Sequence, residues 1–170
     1  MSPAAIIHGT PTWVWVLLVV LLSRGFKALR SGTASLSKLA IVPLIFAGWG
    51  IAHLLSDPLA GWSAAIAWTT GALVGMMGGV FIASRSRFMV DPIANTVMLP
   101  GSVLPLLLII ATFVTKFWLG VEFATVTDAS SLGTVVLIDA VVSGAVAGVF
   151  AGRFFTYWRA LSARRTLQLQ

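Results

Sequence analysis

Residues 60–84, AGWSAAIAWTTGALVGMMGGVFIAS, decide the class of this protein. The run contains no Asp, Glu, Lys or Arg, and as a helix it reaches about 37 Å, more than the roughly 30 Å of a bilayer's hydrocarbon. Four further apolar stretches, at 11–28, 39–56, 103–120 and 133–153, are bounded by charge, Pro or Gly. The whole chain is 58% hydrophobic and 9% charged, with a mean hydropathy of +0.99, a mixture that a water-soluble core does not need. The expectation is an all-α integral membrane protein of about five transmembrane helices. It forms one polytopic domain over 1–170, with residues 154–170 a basic cytoplasmic tail.

The first stretch is the weak one, because its apolar run from Pro11 stops at Ser23, and it spans only if Arg24 and Lys27 snorkel or residues 4–7 join it in the interface. Thr10 before Pro11 suits an N-cap and first helical position. A secretory signal carries its positive charge before the apolar run, whereas here Arg24, Lys27 and Arg30 follow it, so the segment is expected to be retained.

Charge sets the orientation. Arg24, Lys27, Arg30 and Lys38 flank the first connection, Arg85 and Arg87 lie in the third, and Arg153, Arg159, Arg164 and Arg165 end or follow the fifth stretch. Every cation except Lys116 therefore falls on one side, with Asp91 as its one acid. Asp57, Glu122 and Asp128 fall on the other. By the positive-inside rule the basic side is cytoplasmic, with the N-terminus outside and the C-terminus inside. The expected location is a bacterial inner (cytoplasmic) membrane. Trp13, Trp15, Trp49, Trp62 and Trp118 near the outer ends, and Tyr157 and Trp158 past the inner end, suit interfacial belts. The net charge of +6 comes in short clusters beside apolar runs, which favours anionic lipids at the cytoplasmic face over nucleic acid. With no cysteine there is neither a disulfide framework nor a thiolate site. Residues 88–99, with Val90-Asp91-Pro92 and Asn95-Thr96-Val97, suggest a short hairpin or re-entrant piece.

Two glycine ladders stand out, a glycine-zipper pattern: Gly71, Gly75 and Gly79 in the third stretch, and Gly144, Gly148 and Gly152 in the fifth. Four-residue spacing puts each triplet near one helix face, where a second backbone can approach closely. The ladders either join spans three and five within the chain, the favoured arrangement, or form a homodimer seam. Gly71-Ala72 matches Gly144-Ala145, Phe81 matches Phe154, and Pro43-Leu44 matches Pro105-Leu106. These matches suggest one helix plus two same-orientation hairpins, although a Gly- and Ala-rich composition also produces such matches by chance.

Ionisable groups inside a bilayer are costly and mark function by default. Beside His53 and Arg153 at the ends of their spans, Lys116 and Asp139, on neighbouring antiparallel spans, are the intramembrane polar candidates, either as an ion pair or as a proton or ion relay. His8, His53 and Asp57 share the outer side, where two imidazoles and a carboxylate could hold a metal or a haem. His8 precedes its helix, which argues against matched ligands, and no cofactor is expected. Ser23, Ser37, Ser63 and Ser143 have no His partner and suit packing or capping. No nucleophile elbow, phosphate loop or zinc-protease pattern occurs, so an enzyme is the least favoured class. A non-enzymatic scaffold or accessory subunit, packing through its glycine ladders, leads; a small transporter or channel follows.

His8-Gly9-Thr10-Pro11 with Trp13-Val14-Trp15, the basic end at Arg24, Lys27 and Arg30, and Leu99-Pro100-Gly101-Ser102 before Leu104-Pro105-Leu106 resemble an uncharacterised family of small bacterial inner-membrane proteins, a domain of unknown function. The resemblance covers nearly the whole chain and implies no activity. The helix count and inner connection are also faintly similar to a membrane protein family associated with cytochrome c biogenesis, which implies no site residue here.

Overall fold

The computed structural model describes residues 11–56, 61–125 and 129–168. Among the described residues five helices are joined at one end by a small sheet: α1 (Thr12–Lys27), β1 (Gly32–Ser35), α2 (Leu36–Ser56), α3 (Trp62–Arg85), β2 (Met89–Asp91), β3 (Thr96–Leu99), α4 (Leu104–Thr125) and α5 (Ala129–Gln168). Three of them, α3, α4 and α5, are long and apolar enough to cross a membrane. α1 has 16 residues and α2 has 21. Pro11 occupies the N-cap position of α1, one place later than the sequence suggests.

The core is the seam between α3 and α5. These helices run parallel, and all six ladder glycines face the partner backbone. A Cβ built on Gly71, Gly75 or Gly79 would strike the carbonyl oxygen of Val141, Ala145 or Val149; one on Gly144, Gly148 or Gly152 would strike that of Trp68, Ala72 or Met76. Only hydrogen fits, and at each site a glycine Cα–H points at a carbonyl oxygen. Such contacts contribute about 0.5–1 kcal/mol each. The 73-residue offset that carries Gly71 to Gly144 also carries Trp68 to Val141, and it relates every contact in one triplet to its counterpart in the other. The seam thus has a local two-fold relation between α3 and α5. The relation ends there, because of the two seam helices it is α5 that both α2 and α4 pack against, rather than one on each.

The other helices use the same device once each. Gly25 of α1 lets Leu106 of α4 approach, and Gly50 of α2 receives the Trp68 indole, where a Cβ would lie 2.6 Å from Nε1. That indole nitrogen is buried without a hydrogen-bond partner. Pro43 deletes one backbone donor inside α2 and borders an apolar groove of about 160 Å³ between α2, α3 and α5.

The sheet corrects the all-α expectation. Residues 88–99 form a hairpin, β2 against β3, and the unexpected β1 pairs with the other edge of β3, so the order is β1-β3-β2 and every pair is antiparallel. Val90 and Val97 stand opposite one another and point inward, whereas Met89 and Met98 point outward. Asp91 Oδ1 accepts from the amides of Ile93 and Ala94, and Asn95 turns the chain at φ 54°. β1 carries no alternating pattern, and its partner lies far along the chain, so nothing local announces it.

The inward valines meet Ala83, Tyr157 and Leu161, with Phe88 edge-on to Tyr157 at 4.9 Å. The supposed basic tail is therefore helix. α5 continues unbroken to Gln168, about 60 Å in all, because Tyr157 and Leu161 are core residues at 2% and 1% exposure. Tyr157 belongs to this cluster rather than to an interfacial belt, while Trp158 beside it is exposed. The connection expected over 121–132 also shortens: α4 runs to Thr125 and α5 starts at Ala129.

The sheet gathers the C-terminal ends of α1 and α3, the N-terminal ends of α2 and α4 and the far part of α5. Arg24, Lys27, Arg30, Lys38, Arg85, Arg87 and Arg153 consequently lie toward one end of the helices.

Candidate functional site

An ion pair between described residues lies within the helical region. Asp139 and Ser143 are one turn apart on α5 and share a face. Lys116 reaches them from the antiparallel α4: its Nζ donates to Asp139 Oδ1 at 2.5 Å and to Ser143 Oγ at 2.7 Å. Asp139 sits beside buried Val135, Val136 and Ala140. A carboxylate so placed is stable only with a hydrogen-bonded partner, and Lys116 supplies one.

Lys116 stands nine residues before Thr125, about 13 Å from that end of α4. Its side chain leans toward the helix N-terminus, as helical side chains do, and so extends further from the nearer end. The pair to Asp139 and Ser143 holds it there, which is the opposite of snorkelling. The Lys116 side chain is nevertheless 43% exposed, because α4 is thinly covered. Of its apolar stretch 6% is buried within the chain, against 50% for α5.

Lys116 and Asp139 are thus brought together. Ser143, assigned by sequence to packing, is a third member; its signal was the four-residue spacing from Asp139. His8 and Asp57 lie outside the described residues, and His53 is placed on α2 without a described side chain. Among the described residues no three His, Cys, Asp or Glu are grouped to hold a metal ion. The six ladder glycines form the α3–α5 seam and present no free face.

A second polar group, built on Arg153, lies at the basic end. Arg153 Nη2 donates to the Tyr157 hydroxyl at 3.3 Å, one turn further along α5. Both line a cavity of about 30 Å³ together with Ser86, after α3, and Ser102, before α4.

No curated protein and no solved structure matches this chain, and the likeness to a family associated with cytochrome c biogenesis gains no support. The pattern of the Family of unknown function (DUF6622) matches residues 3–168, and the chain belongs to that family.

Proposed function

We propose that this protein is a non-enzymatic accessory or scaffold subunit of a bacterial inner membrane, crossing it five times with the N-terminus outside. The positive-inside rule supports the orientation, since the cations gather at the sheet end. α1 completes the odd number of spans that this charge pattern requires.

The observation that carries the scaffold reading is Lys116. A cation held deep in α4 and nearly half exposed is costly against lipid tails. A partner helix offering a polar or acidic group opposite it removes that cost. Because the glycine faces are used between α3 and α5, assembly falls to another surface, and among the exposed apolar faces that of α4, with Val114, Trp118 and Leu107, is the one that carries Lys116. The partner is a second copy or another membrane subunit. A photo-crosslinking residue at Val114 or Trp118 gives a discrete protein adduct in native membranes, and one at Leu73 or Met77 of α3 does not. Lipid adducts alone at all four positions would defeat the reading.

A transporter remains the second reading, favoured by the Lys116, Asp139 and Ser143 centre. Against it stands the seam: parallel-repeat transporters bind between their halves, and here that interface is backbone against backbone. Proteoliposomes that carry protons, metals or small anions faster than empty vesicles would reverse the order of the two readings.

A further inference from the structure

We infer that Arg153, Tyr157 and Ser102 form a receptor for one phosphoryl oxygen of an anionic phospholipid, seated where α3 ends and α4 begins. The inference rests on the membrane-spanning reading and is independent of the accessory-subunit role.

The argument is an account of donors. A guanidinium offers five N–H groups in a planar fork. One of those on Arg153 goes to the Tyr157 oxygen, and no described carboxylate pairs with it. Tyr157 is 2% exposed; its oxygen accepts from Arg153, which leaves its own O–H directed elsewhere. Ser102 Oγ accepts from the Leu104 amide, so its hydrogen is likewise available. Ser86 spends its hydroxyl proton on the Ala83 carbonyl and contributes a wall. The 30 Å³ cavity is therefore lined by side chains with hydrogens still to give, on Arg153, Tyr157 and Ser102, and none of its lining side chains is a carboxylate or an amide. A group rich in acceptor oxygens and negatively charged completes it, and phosphate fits that description. The space holds one oxygen atom, so the rest of the group stays at the surface.

Depth selects the source. The site lies level with the last turn of α3 at Arg85 and the first of α4 at Leu104, where the apolar stretches stop and headgroups begin. Arg85 and Arg87 stand close by in sequence to Ser86 and add positive potential. The one acid of this end, Asp91, has its Oδ1 engaged by the hairpin amides.

The test is thermal stability of the full chain in a mild neutral detergent, with added phosphatidylglycerol, phosphatidylcholine or inorganic phosphate. Phosphatidylglycerol should raise the midpoint at concentrations where phosphatidylcholine does not. Arg153→Gln should weaken that response roughly tenfold, the loss expected for one charge-assisted contact. Arg164→Gln, on the exposed far part of α5, should leave it intact. Tyr157→Phe keeps the ring against Phe88 and removes only the hydroxyl, so it tests the site even if Arg153→Gln folds poorly; a weakened response is expected there too. Stabilisation by inorganic phosphate alone, equal to that by the lipid and lost in Arg153→Gln, would support the phosphoryl receptor while overturning the lipid as its source. Equal responses to both lipids, or a wild-type response in both Arg153→Gln and Tyr157→Phe, would overturn the site.

Discussion

A methyl group placed at Gly75 stands inside the backbone of Ala145, 2.8 Å from its carbonyl carbon and 2.9 Å from its Cα, whereas one placed at Gly78, three residues on, meets nothing within 4 Å. The two positions share a helix and differ in what they face. Gly→Ala in a helix interior gains about 1 kcal/mol in propensity, and that gain is common to both. At Gly75 the helices must part by several tenths of an ångström or more, an overpacking strain of about 1–3 kcal/mol. Parting also stretches the neighbouring Cα–H···O contacts, each contributing about 0.5–1 kcal/mol. Gly75→Ala should therefore be less stable than Gly78→Ala by about 2–4 kcal/mol, with Gly78→Ala at or above the parent. Equilibrium unfolding in mixed micelles measures the difference. Gly148→Ala, in the matching place on α5, should behave as Gly75→Ala does. A gap below about 0.5 kcal/mol between Gly75→Ala and Gly78→Ala would refute the seam as the source of cohesion.

Other outcomes follow from the same contacts. Asp139→Leu and Lys116→Leu should each destabilise by about 1–3 kcal/mol, less than a fully buried pair because Lys116 is partly exposed, while the double variant recovers most of the loss; a double-mutant cycle reads the coupling, and simple additivity would mean that the pair is idle. Leu161→Ala should cost about 2–5 kcal/mol despite lying in a segment that looks like a polar tail, with faster proteolysis of the β2–β3 hairpin as the second readout. Asn95→Gly should be neutral or stabilising, and Asn95→Ala should cost about 1 kcal/mol, because φ is 54° and the buried Oδ1 has no hydrogen-bond partner to lose.

The helices were legible in the sequence because length and apolarity are read residue by residue, and the glycine ladders because a period of four survives without knowledge of the partner. The pairing of Lys116 with Asp139 was legible too, since a short connection between two spans makes them antiparallel neighbours. What escaped was set by partners distant in sequence. Gly32–Ser35 becomes a strand only because β3 offers it an edge, and Tyr157 with Leu161 becomes core only because that sheet covers them. Arg153 was legible as a topology charge and as an ionisable residue at the end of a span; its meeting with Tyr157, Ser86 and Ser102 depends on where α3 ends and α4 begins. Ser143 was hidden because a lone serine in a helix packs more often than it binds.

Side-specific labelling of single cysteines bears most directly on the five-span account, and a chain with no native cysteine gives it a clean background. Ser2→Cys and Ser63→Cys should react with an impermeant maleimide added to intact spheroplasts, and Ser31→Cys and Thr166→Cys only after the membrane is opened. If Ser2→Cys and Thr166→Cys labelled from the same side, the number of crossings would be even and the account would be wrong.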